Sequence, residues 1–591
     1  MSLHKSHKGW ADLPEFSKDM YQERYFTEGE EYDGWIQRVS GAYSDNSEHA
    51  KRIAGYLESY WFHPSTPIAS NAGLPDKGLP ISCYTNEVED SKSGIFSTWE
   101  ENNWLGSYGG GIGTTWSGVR GIGEKIGANG KSSGIIPFIK VSDATTLAVS
   151  QGGLRRASQA VYLDISHPEI LEFIDIRRPT GDSERRSPNI HHGVTISDAF
   201  MYAVEQRLTW ELTSPKHGEM VDTVDAFDLW KKILISRMET GEPYLFFKDT
   251  ANRNAPADYK TSGREIKTSN LCSEIMLHTD KDTSGVCCLT SVNLEYFDEW
   301  VNDAMFLEDI HRYTDNVLSE FIRLTEGKEG FQKARKGALE ERSIGIGTMG
   351  YHSYLQSQGV PMDSLSATYL TKKVFSHIHK GLEESNYLLA VQKGKAPTSM
   401  NKRNVNVTSI APTASISTLC NLSSPGIDPR VSNIYTAKTN IGSYTIKNKF
   451  LDKVMYDYII SKTSPGNAIY QMEWMKSQWK SITKNQGSVQ HLDWMSGEDK
   501  WLFKTAYEID QRYVIKNVGV MQKYITQGIS TNLFLRPDID VQLLYGLHMA
   551  AWKADLKSLY YTRSQAMNRA NIGDTARAEI KLEEDTCIGC A

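Results

Sequence analysis

The sequence predicts an α/β protein with parallel sheet, on three observations. Residues 304–325 set Phe306, Leu307, Ile310, Tyr313, Val317, Phe321 and Leu324 at three-to-four spacing, and residues 369–392 repeat the pattern with Leu370, Val374, Ile378, Leu382 and Leu389. Both are helices with one buried face. Short β-rich runs, GVTIS at 193–197 and VNVTSI at 405–410, read as strands. Strands alternating with helices favour parallel pairing, because parallel neighbours need a crossover between them.

Three regions follow from texture. Residues 1–60 mix aromatic and charged side chains and read as helical. From 61 to 570, Gly-rich turns separate short apolar runs and amphipathic helices. Residues 571–591 carry five acids and two bases with little to bury, and a mobile tail is expected there.

Composition narrows the function classes. The chain has 591 residues, 65 Lys+Arg against 72 Asp+Glu, 39% hydrophobic and 23% charged residues. That is ordinary globular composition, which excludes wholesale disorder and collagen-like repeats. A net charge of −7 argues against a basic nucleic-acid scaffold. It leaves room for a local phosphate site, since helix N-termini bind anions at any net charge. Seven cysteines, an odd and sparse set, do not make a disulfide framework. The N-terminus lacks an apolar signal core, and no apolar run reaches membrane-span length. A cytoplasmic protein with neither a membrane nor a nucleic-acid partner is expected.

Several motifs carry chemistry, each beside a plainer reading. Cys587-Ile-Gly-Cys590 can close and reopen a disulfide, or form half of a zinc site, or be inert. Ser269-Asn270-Leu271-Cys272-Ser273-Glu274 puts an amide, a thiol and a carboxylate at alternate positions. An extended loop would aim all three to one side; a buried strand cysteine with polar neighbours has the same spacing. Cys287-Cys288, between Val286 and Leu289, and Cys83, after Ile81 and Ser82, also fit small buried hydrophobes. Cys420 reads as structural. Ala411-Pro412-Thr413-Ala414-Ser415-Ile416-Ser417 follows a predicted strand and makes a helix start, suited to phosphate or simply capped. Ser150-Gln151-Gly152-Gly153-Leu154-Arg155-Arg156 is a glycine-hinged loop with two guanidiniums. Tyr108–Gly113 lacks dinucleotide-fingerprint spacing. Tyr560-Tyr561 is either packing or an electron and proton relay.

The order of these motifs resembles the catalytic large subunit of ribonucleotide reductase. Ser82-Cys83, SQGGLR (150–155), SNLCSE (269–274), Cys287 ahead of SVNL, APTASIS with GIDP (426–429), LYY (559–561) and a terminal cysteine pair stand in family order. HPEILEFI (167–174) and TGEPYLFF (240–247) are familial too. The resemblance implies a ten-stranded α/β barrel of two parallel five-stranded halves, with a finger loop lifting Cys272 to its centre. It implies a thiyl radical at Cys272 that takes the ribose 3′ hydrogen, Glu274 as base on the 3′-hydroxyl, and Asn270 as a hydrogen-bonding partner of the ribose hydroxyls. Cys83 and Cys287 would supply two electrons, with Cys587 and Cys590 re-reducing them. Thr413, Ala414, Ser415 and Ile416, with Thr66 and Ser82, match substrate-binding positions. Asp90, Ser91, Arg120, Gln151 and Arg155 match the specificity site for a dNTP or ATP effector.

Tyr560 and Tyr561 match the relay from a ferritin-like, metal-containing small subunit, so the chain itself is expected to bind neither cofactor nor metal. Thioredoxin or glutaredoxin and a second copy of the chain are the other implied partners. The 82 residues before Cys83 are too few and too different for an N-terminal ATP-cone. No dATP shut-off through a cone is therefore expected, and the short form resembles phage reductases, which work in host cytoplasm. An adenosylcobalamin-dependent reductase and a non-catalytic nucleotide-binding regulator are the rival readings.

Overall fold

The computed structural model describes residues 8–74, 78–128, 130–149, 157–464 and 467–564. Its centre is a closed ring of ten staves. Five parallel strands form the first half in chain order: β1 (Cys83–Glu87), β2 (Gly111–Thr115), β3 (Ser158–Asp164), β4 (His191–Ile196) and β5 (Tyr244–Phe247). The second half begins with the parallel pair β6 (Gly285–Asn293) and β7 (Ile344–Met349). Segment 405–410 comes next; its Asn406 and Val407 carbonyls accept from the N–H groups of Ile344 and Ile346. Segment 527–533 joins through the parallel bridge of Ile410 with Ile529. Segment 558–562 completes the half, Tyr560 N–H donating to the Thr531 carbonyl. Two antiparallel seams close the ring: Cys83–Thr85 runs against Gly285–Cys287, and Leu245–Phe246 against Ser558–Leu559. This is the expected barrel of two parallel halves.

Strand alternation sorts side chains between two cores. Val161 and Leu163 of β3, Leu245 and Phe247 of β5, and Val286 and Cys288 of β6 face outward into the main apolar core. Ala160 and Tyr162, Tyr244 and Phe246, and Cys287 and Leu289 face inward and join Cys83, Cys272, Tyr560 and Tyr561. The outer core is covered by helices, among them Phe306–Leu324 and Leu365–Lys393. The second runs four residues further N-terminally than its periodicity predicts, to a cap where Ser364 Oγ accepts the Ala367 N–H (3.1 Å).

The predicted strand at 405–410 keeps its place in the ring without forming a regular ladder. Thr526 Oγ1 takes the N–H groups of Val407 and Thr408 (3.2 and 3.1 Å), so a side chain stands where a strand would offer a carbonyl.

The N-terminal region is helical as predicted: α1 (Glu15–Arg24), α2 (Tyr32–Ala42) and α3 (Ser47–Glu58). It shares the barrel's outer core. The buried Trp35 of α2 stacks on His63 at 5.5 Å, and Ser17 Oγ donates to the Thr418 carbonyl (2.7 Å). Within the span assigned to the barrel, a lobe with its own core stands apart. It comprises the hairpin Ile434–Lys438 with Ser443–Lys447 and the helices Lys449–Lys462 and Ala468–Lys484, packed on Leu451, Met455, Trp479 and Ile482.

The ring has room for more than side chains. An eight-stranded barrel is about wide enough for its own side chains to fill; ten staves admit a length of backbone, and the loop between residue 266 and β6 enters the lumen. Gly113 of β2 permits this. A Cβ there would lie 1.8 Å from the Ser269 carbonyl oxygen and 2.7 Å from the Asn270 Cα. Gly528 allows a looser approach on the opposite half, where a Cβ would lie 3.0 Å from the Glu274 carbonyl oxygen. Gly113→Ala should destabilise the protein by about 1–3 kcal/mol through overpacking. Urea unfolding measures this, and a variant as stable as the parent would contradict the close approach.

Asp315, fully buried on the helix Phe306–Leu324, anchors the entry to two staves. It accepts from Arg342 (2.8 Å), Arg403 (3.1 Å) and Asn404 Nδ2 (3.0 Å). Burial opposes its ionisation, but the two guanidiniums outweigh burial and hold its carboxyl below the ordinary value of 3.8. Because the folded-state pKa is depressed, this group stabilises the fold above the unfolded pKa and loses that contribution as pH falls through the folded one. Asp315→Ala should cost about 3–5 kcal/mol at neutral pH, the range for breaking a buried pair. It should also flatten the acid limb of the stability curve, which urea melts at stepped pH would reveal.

Candidate active site

The lumen loop carries Asn270, Cys272 and Glu274, all fully buried. It is a turn, not the extended segment that the alternate spacing suggests. Ser273 N–H donates to the Asn270 carbonyl (3.2 Å), and Ser273 has φ +64°, in the left-handed region. The three side chains are therefore brought together by a turn locked from the surrounding staves. Tyr162 of β3 donates to the Asn270 carbonyl (2.8 Å). Gly528 N–H and Ser409 Oγ donate to the Glu274 carbonyl (2.8 and 3.0 Å). Ser530 Oγ reaches both the Cys272 carbonyl and Glu274 Oε2, the latter at 3.4 Å. Ser558 Oγ donates to the Ser273 carbonyl (2.7 Å).

Asn270 is the most telling member. Its Oδ1 accepts the backbone N–H groups of Glu274 and Ile275, both at 3.1 Å. Two donors on one atom fix the orientation of the amide. The amide nitrogen then points away from the turn and has no partner among the described residues, although it is buried. A buried unsatisfied N–H costs about 1–3 kcal/mol, a penalty that a ligand hydroxyl would remove.

Cys83 of β1 stands directly opposite Cys287 of β6 across an antiparallel seam. Both are buried in the same inward-facing cluster as Cys272. Gln527 Nε2 lies 3.4 Å from Cys287 Sγ, and its Oε1 accepts the Met276 N–H (3.1 Å), tying this thiol to the lumen loop. Burial pushes the Cys287 thiol well above its ordinary value, so it stays protonated at neutral pH. Strand alternation separates the cysteine doublet: Cys288 faces outward and its Sγ–H meets the Thr314 carbonyl at 3.4 Å. Cys420 lies in the outer core, as its structural reading expects.

Tyr560 and Tyr561 are both buried, with ring centroids 4.3 Å apart. Tyr244 of β5 packs against both, at 4.7 and 5.0 Å. The Tyr561 hydroxyl lies 3.2 Å from His191 Nδ1. Tyr561 N–H also donates to Asn532 Oδ1 (3.2 Å), and Asn532 Nδ2 to Asp428 (2.7 Å).

The hydroxyl-rich segment makes a helix, Ala414–Leu419, preceded by Thr413 at φ +54°. Thr413 Oγ1 accepts the Gly426 N–H (2.7 Å). Ser417 is the first residue to bond back, to the Thr413 carbonyl, which leaves the amides of Ala414, Ser415 and Ile416 as helix-start donors with no carbonyl of their own helix to bond. Thr66 opens the helix Thr66–Asn71 and bonds Tyr25 Oη (2.9 Å), and Ser82 is buried beside Cys83. Away from the lumen, Arg120 pairs with Asp90 (2.8 Å), and Ser91 caps the helix Lys92–Ser107 by accepting the Gly94 N–H (2.9 Å). Gln151, Arg155, Cys587 and Cys590 lie outside the described residues.

Sequence reading missed Tyr162, Ser409, Gln527, Gly528 and Ser530, which hold the loop, and His191 and Tyr244, which meet the tyrosine pair. They come from staves far apart in the chain, and local spacing carries no trace of their meeting.

The ribonucleotide reductase barrel-domain family matches residues 81–402 and 398–562. A ribonucleoside-diphosphate reductase large subunit from Invertebrate iridescent virus 3 is 35% identical, aligned over 97% of this chain and 96% of its own. A protein described as a putative large subunit from Frog virus 3 is 37% identical over 97% and 98%. The solved class Id ribonucleotide reductase alpha subunit of Actinobacillus ureae superposes with a TM-score of 0.83 at 31% identity, covering 96% of this chain and all of that one. The chain belongs to the ribonucleotide reductase family and has the fold of its catalytic barrel. Among the described residues, no helix is long and apolar enough to cross a membrane.

The cross-seam register makes a covalent prediction. Directly opposed residues have Cβ atoms about 4.5–5.5 Å apart, and a disulfide needs about 3.5–4.5 Å, so a small approach of β1 and β6 suffices. Mild diamide oxidation followed by non-reducing peptide mapping should join Cys83 to Cys287. A Cys83–Cys288 product would show the register to be wrong.

Proposed function

We propose that this chain is the catalytic large subunit of a two-subunit, oxygen-dependent ribonucleotide reductase acting on ribonucleoside diphosphates. The observation that carries the reading is the register of Cys83 against Cys287 in the same buried cluster as Cys272. A dithiol reductant beside a third thiol, with a carboxylate and an unsatisfied amide donor on the same loop, suits replacement of a ribose hydroxyl by hydrogen.

Each residue has one task. Cys272, as a thiyl radical, takes the 3′ hydrogen atom and gives it back to C3′ once the 2′ position is reduced, which regenerates the thiyl radical. Glu274 accepts the 3′-hydroxyl proton as general base. The Asn270 amide donates to a ribose hydroxyl oxygen. The 2′-hydroxyl then leaves as water, with Cys83 and Cys287 giving up two electrons and two protons in total and ending as a disulfide. The high thiol pKa of Cys287 suits this task, because the buried group keeps the proton that the leaving hydroxyl needs. The amides of Ala414, Ser415 and Ile416, with Thr413, bind the substrate phosphates, and Thr66 and Ser82 contact the nucleotide. Cys587 and Cys590 reduce the internal disulfide and are themselves reduced by thioredoxin or glutaredoxin. Asp90, Ser91, Arg120, Gln151 and Arg155 bind a dNTP or ATP that selects the base to be reduced, at the interface of a homodimer. The radical arrives from a metal-containing, ferritin-like small subunit through Tyr561 and Tyr560. In this reading residues 1–60 are an accessory helical region, 61–570 the catalytic unit and 571–591 the redox tail.

The test is CDP reduction to dCDP with dithiothreitol and ATP or dATP, in parallel with the small subunit and with adenosylcobalamin. Product only with the protein partner is expected; product only with cobalamin would overturn the relay. Cys272→Ser, Tyr560→Phe and Tyr561→Phe should each drop turnover below detection while effector binding is unchanged. Normal turnover by Cys272→Ser would sink the radical assignment.

A further inference from the structure

Reopening a disulfide with a dithiol takes two exchanges, and each cysteine sulfur leaves once as a thiolate. Whichever of Cys83 and Cys287 is attacked first, Cys287 therefore bears a negative charge at one point of the cycle. Its site resists that charge. The thiol is buried, and burial pushes it well above its ordinary value; Cys288, Cys83 and Glu274 nearby push the same way. The Gln527 amide works against them.

Gln527 is fully buried at the start of segment 527–533. Its Oε1 accepts the Met276 N–H (3.1 Å), and its Nε2 donates to the Ile344 carbonyl (3.0 Å). A backbone N–H can only donate and a carbonyl can only accept, so these two contacts fix which end of the amide is nitrogen. The second hydrogen of Nε2 is left for Cys287 Sγ at 3.4 Å. The backbone of Gln527 is held as well. Its N–H donates to the Thr408 carbonyl (3.0 Å), and its carbonyl accepts from Gln522 Nε2 (2.9 Å). Gly345 of β7 leaves room for the sulfur, since a Cβ there would lie 2.9 Å from it.

We propose that Gln527 is a catalytic residue of the redox cycle, the hydrogen-bond donor that stabilises the departing Cys287 thiolate when the Cys83–Cys287 disulfide is reopened. The inference rests on the reading of these two cysteines as the redox pair.

The exchange balances. A thiolate of the dithiol reductant attacks one sulfur of the disulfide. A mixed disulfide forms, the Cys83–Cys287 bond breaks, and its electron pair stays on the other cysteine. The second thiolate of the reductant then attacks the reductant's own sulfur in the mixed disulfide and releases the remaining cysteine. The reductant ends as a disulfide, oxidised by two electrons, and its two protons end on Cys83 and Cys287. Gln527 makes and breaks no covalent bond. Neutral sulfur is a weak acceptor and an ionised one a strong acceptor. The N–H···S contact therefore strengthens as the charge builds and weakens when the sulfur regains its proton. A bond that is weak in both disulfide and thiol speeds the exchange without moving its equilibrium.

Gln527→Glu is the near-isosteric test. Protonated, the carboxyl gives its one hydrogen to the Ile344 carbonyl and has none for the sulfur. Ionised, it sets a negative charge beside the sulfur. Either state slows departure of a thiolate. The chains compared also carry Cys587→Ser and Cys590→Ser, so that dithiothreitol is the dithiol that acts on the diamide-formed disulfide. Acid quenching, maleimide labelling and peptide mapping separate the two exchanges, because the mixed disulfide marks the sulfur that has not yet left. The exchange that releases Cys287 should slow about tenfold or more, as expected for loss of a hydrogen bond to a charged atom. The equilibrium with the dithiothreitol couple should stay at the parent value. Release of Cys287 at the parent rate in a folded variant would overturn the proposal. So would a slower release matched by an equal shift of the equilibrium toward the disulfide, which marks strain in the resting states. Should Gln527→Glu not fold, Gln527→Met is read in the same way. A parent chain that forms no Cys83–Cys287 disulfide would remove the redox pair itself, and this is seen before any variant is made.

Discussion

The passage of one turn of backbone through the barrel lumen is the constraint on which the rest depends. Ten staves enclose more space than their own side chains fill, and the chain closes that space with the loop bearing Cys272. Backbone can approach backbone this closely only where side chains are missing, hence Gly113 on one wall and Gly528 on the other. The loop's carbonyls, stripped of water, must then be satisfied from the walls. Tyr162, Ser409, Gly528, Ser530 and Ser558 do so, and the same bonds that solve the solvation problem fix where the thiol, the carboxylate and the amide stand.

Burial also sets the chemistry. In a low-dielectric pocket a thiol keeps its proton and a carboxylate interacts strongly with whatever polar group is placed beside it. Burial favours the protonated thiol of Cys287, and Asn270 is held with its buried amide donor unpaired among the described residues. Neither property belongs to the residue type. Both arise because antiparallel closure brings β6 to β1, and because a left-handed Ser273 turns the loop back on itself.

Much of this was legible in the sequence because it is periodic or local. The helix at 306–324 shows its buried face at three-to-four spacing, and the helix start at 414 is announced by proline and small hydroxyl residues. The order of motifs named the family's barrel before any strand was placed. Geometry between distant segments was not legible. Spacing suggested an extended loop at 269–274, since period two is the simplest way to align alternate residues; a turn does the same and leaves no different pattern. The cysteine doublet could not be assigned by composition, and only alternation along β6 sends Cys287 inward and Cys288 out. The lobe at 434–484 was hidden because its helices have the same texture as those of the barrel. Glu242 falls in the familial TGEPYLFF run, but nothing local showed that it meets His191 and Tyr561, because that meeting joins β4, the approach to β5 and the final stave.

The ring has two seams, and they carry different traffic. On the proposed reading, paired electrons enter where β1 meets β6, at Cys83 and Cys287, while the single oxidising equivalent enters near the junction of β5 with segment 558–562, at the tyrosines. Five staves separate the seams in either direction around the ring, and the lumen loop lies between them. A tyrosyl radical and a dithiol in contact would discharge each other. Placing them at opposite junctions of the ring makes the barrel an insulator, so that the substrate cavity is the one place where the two circuits meet.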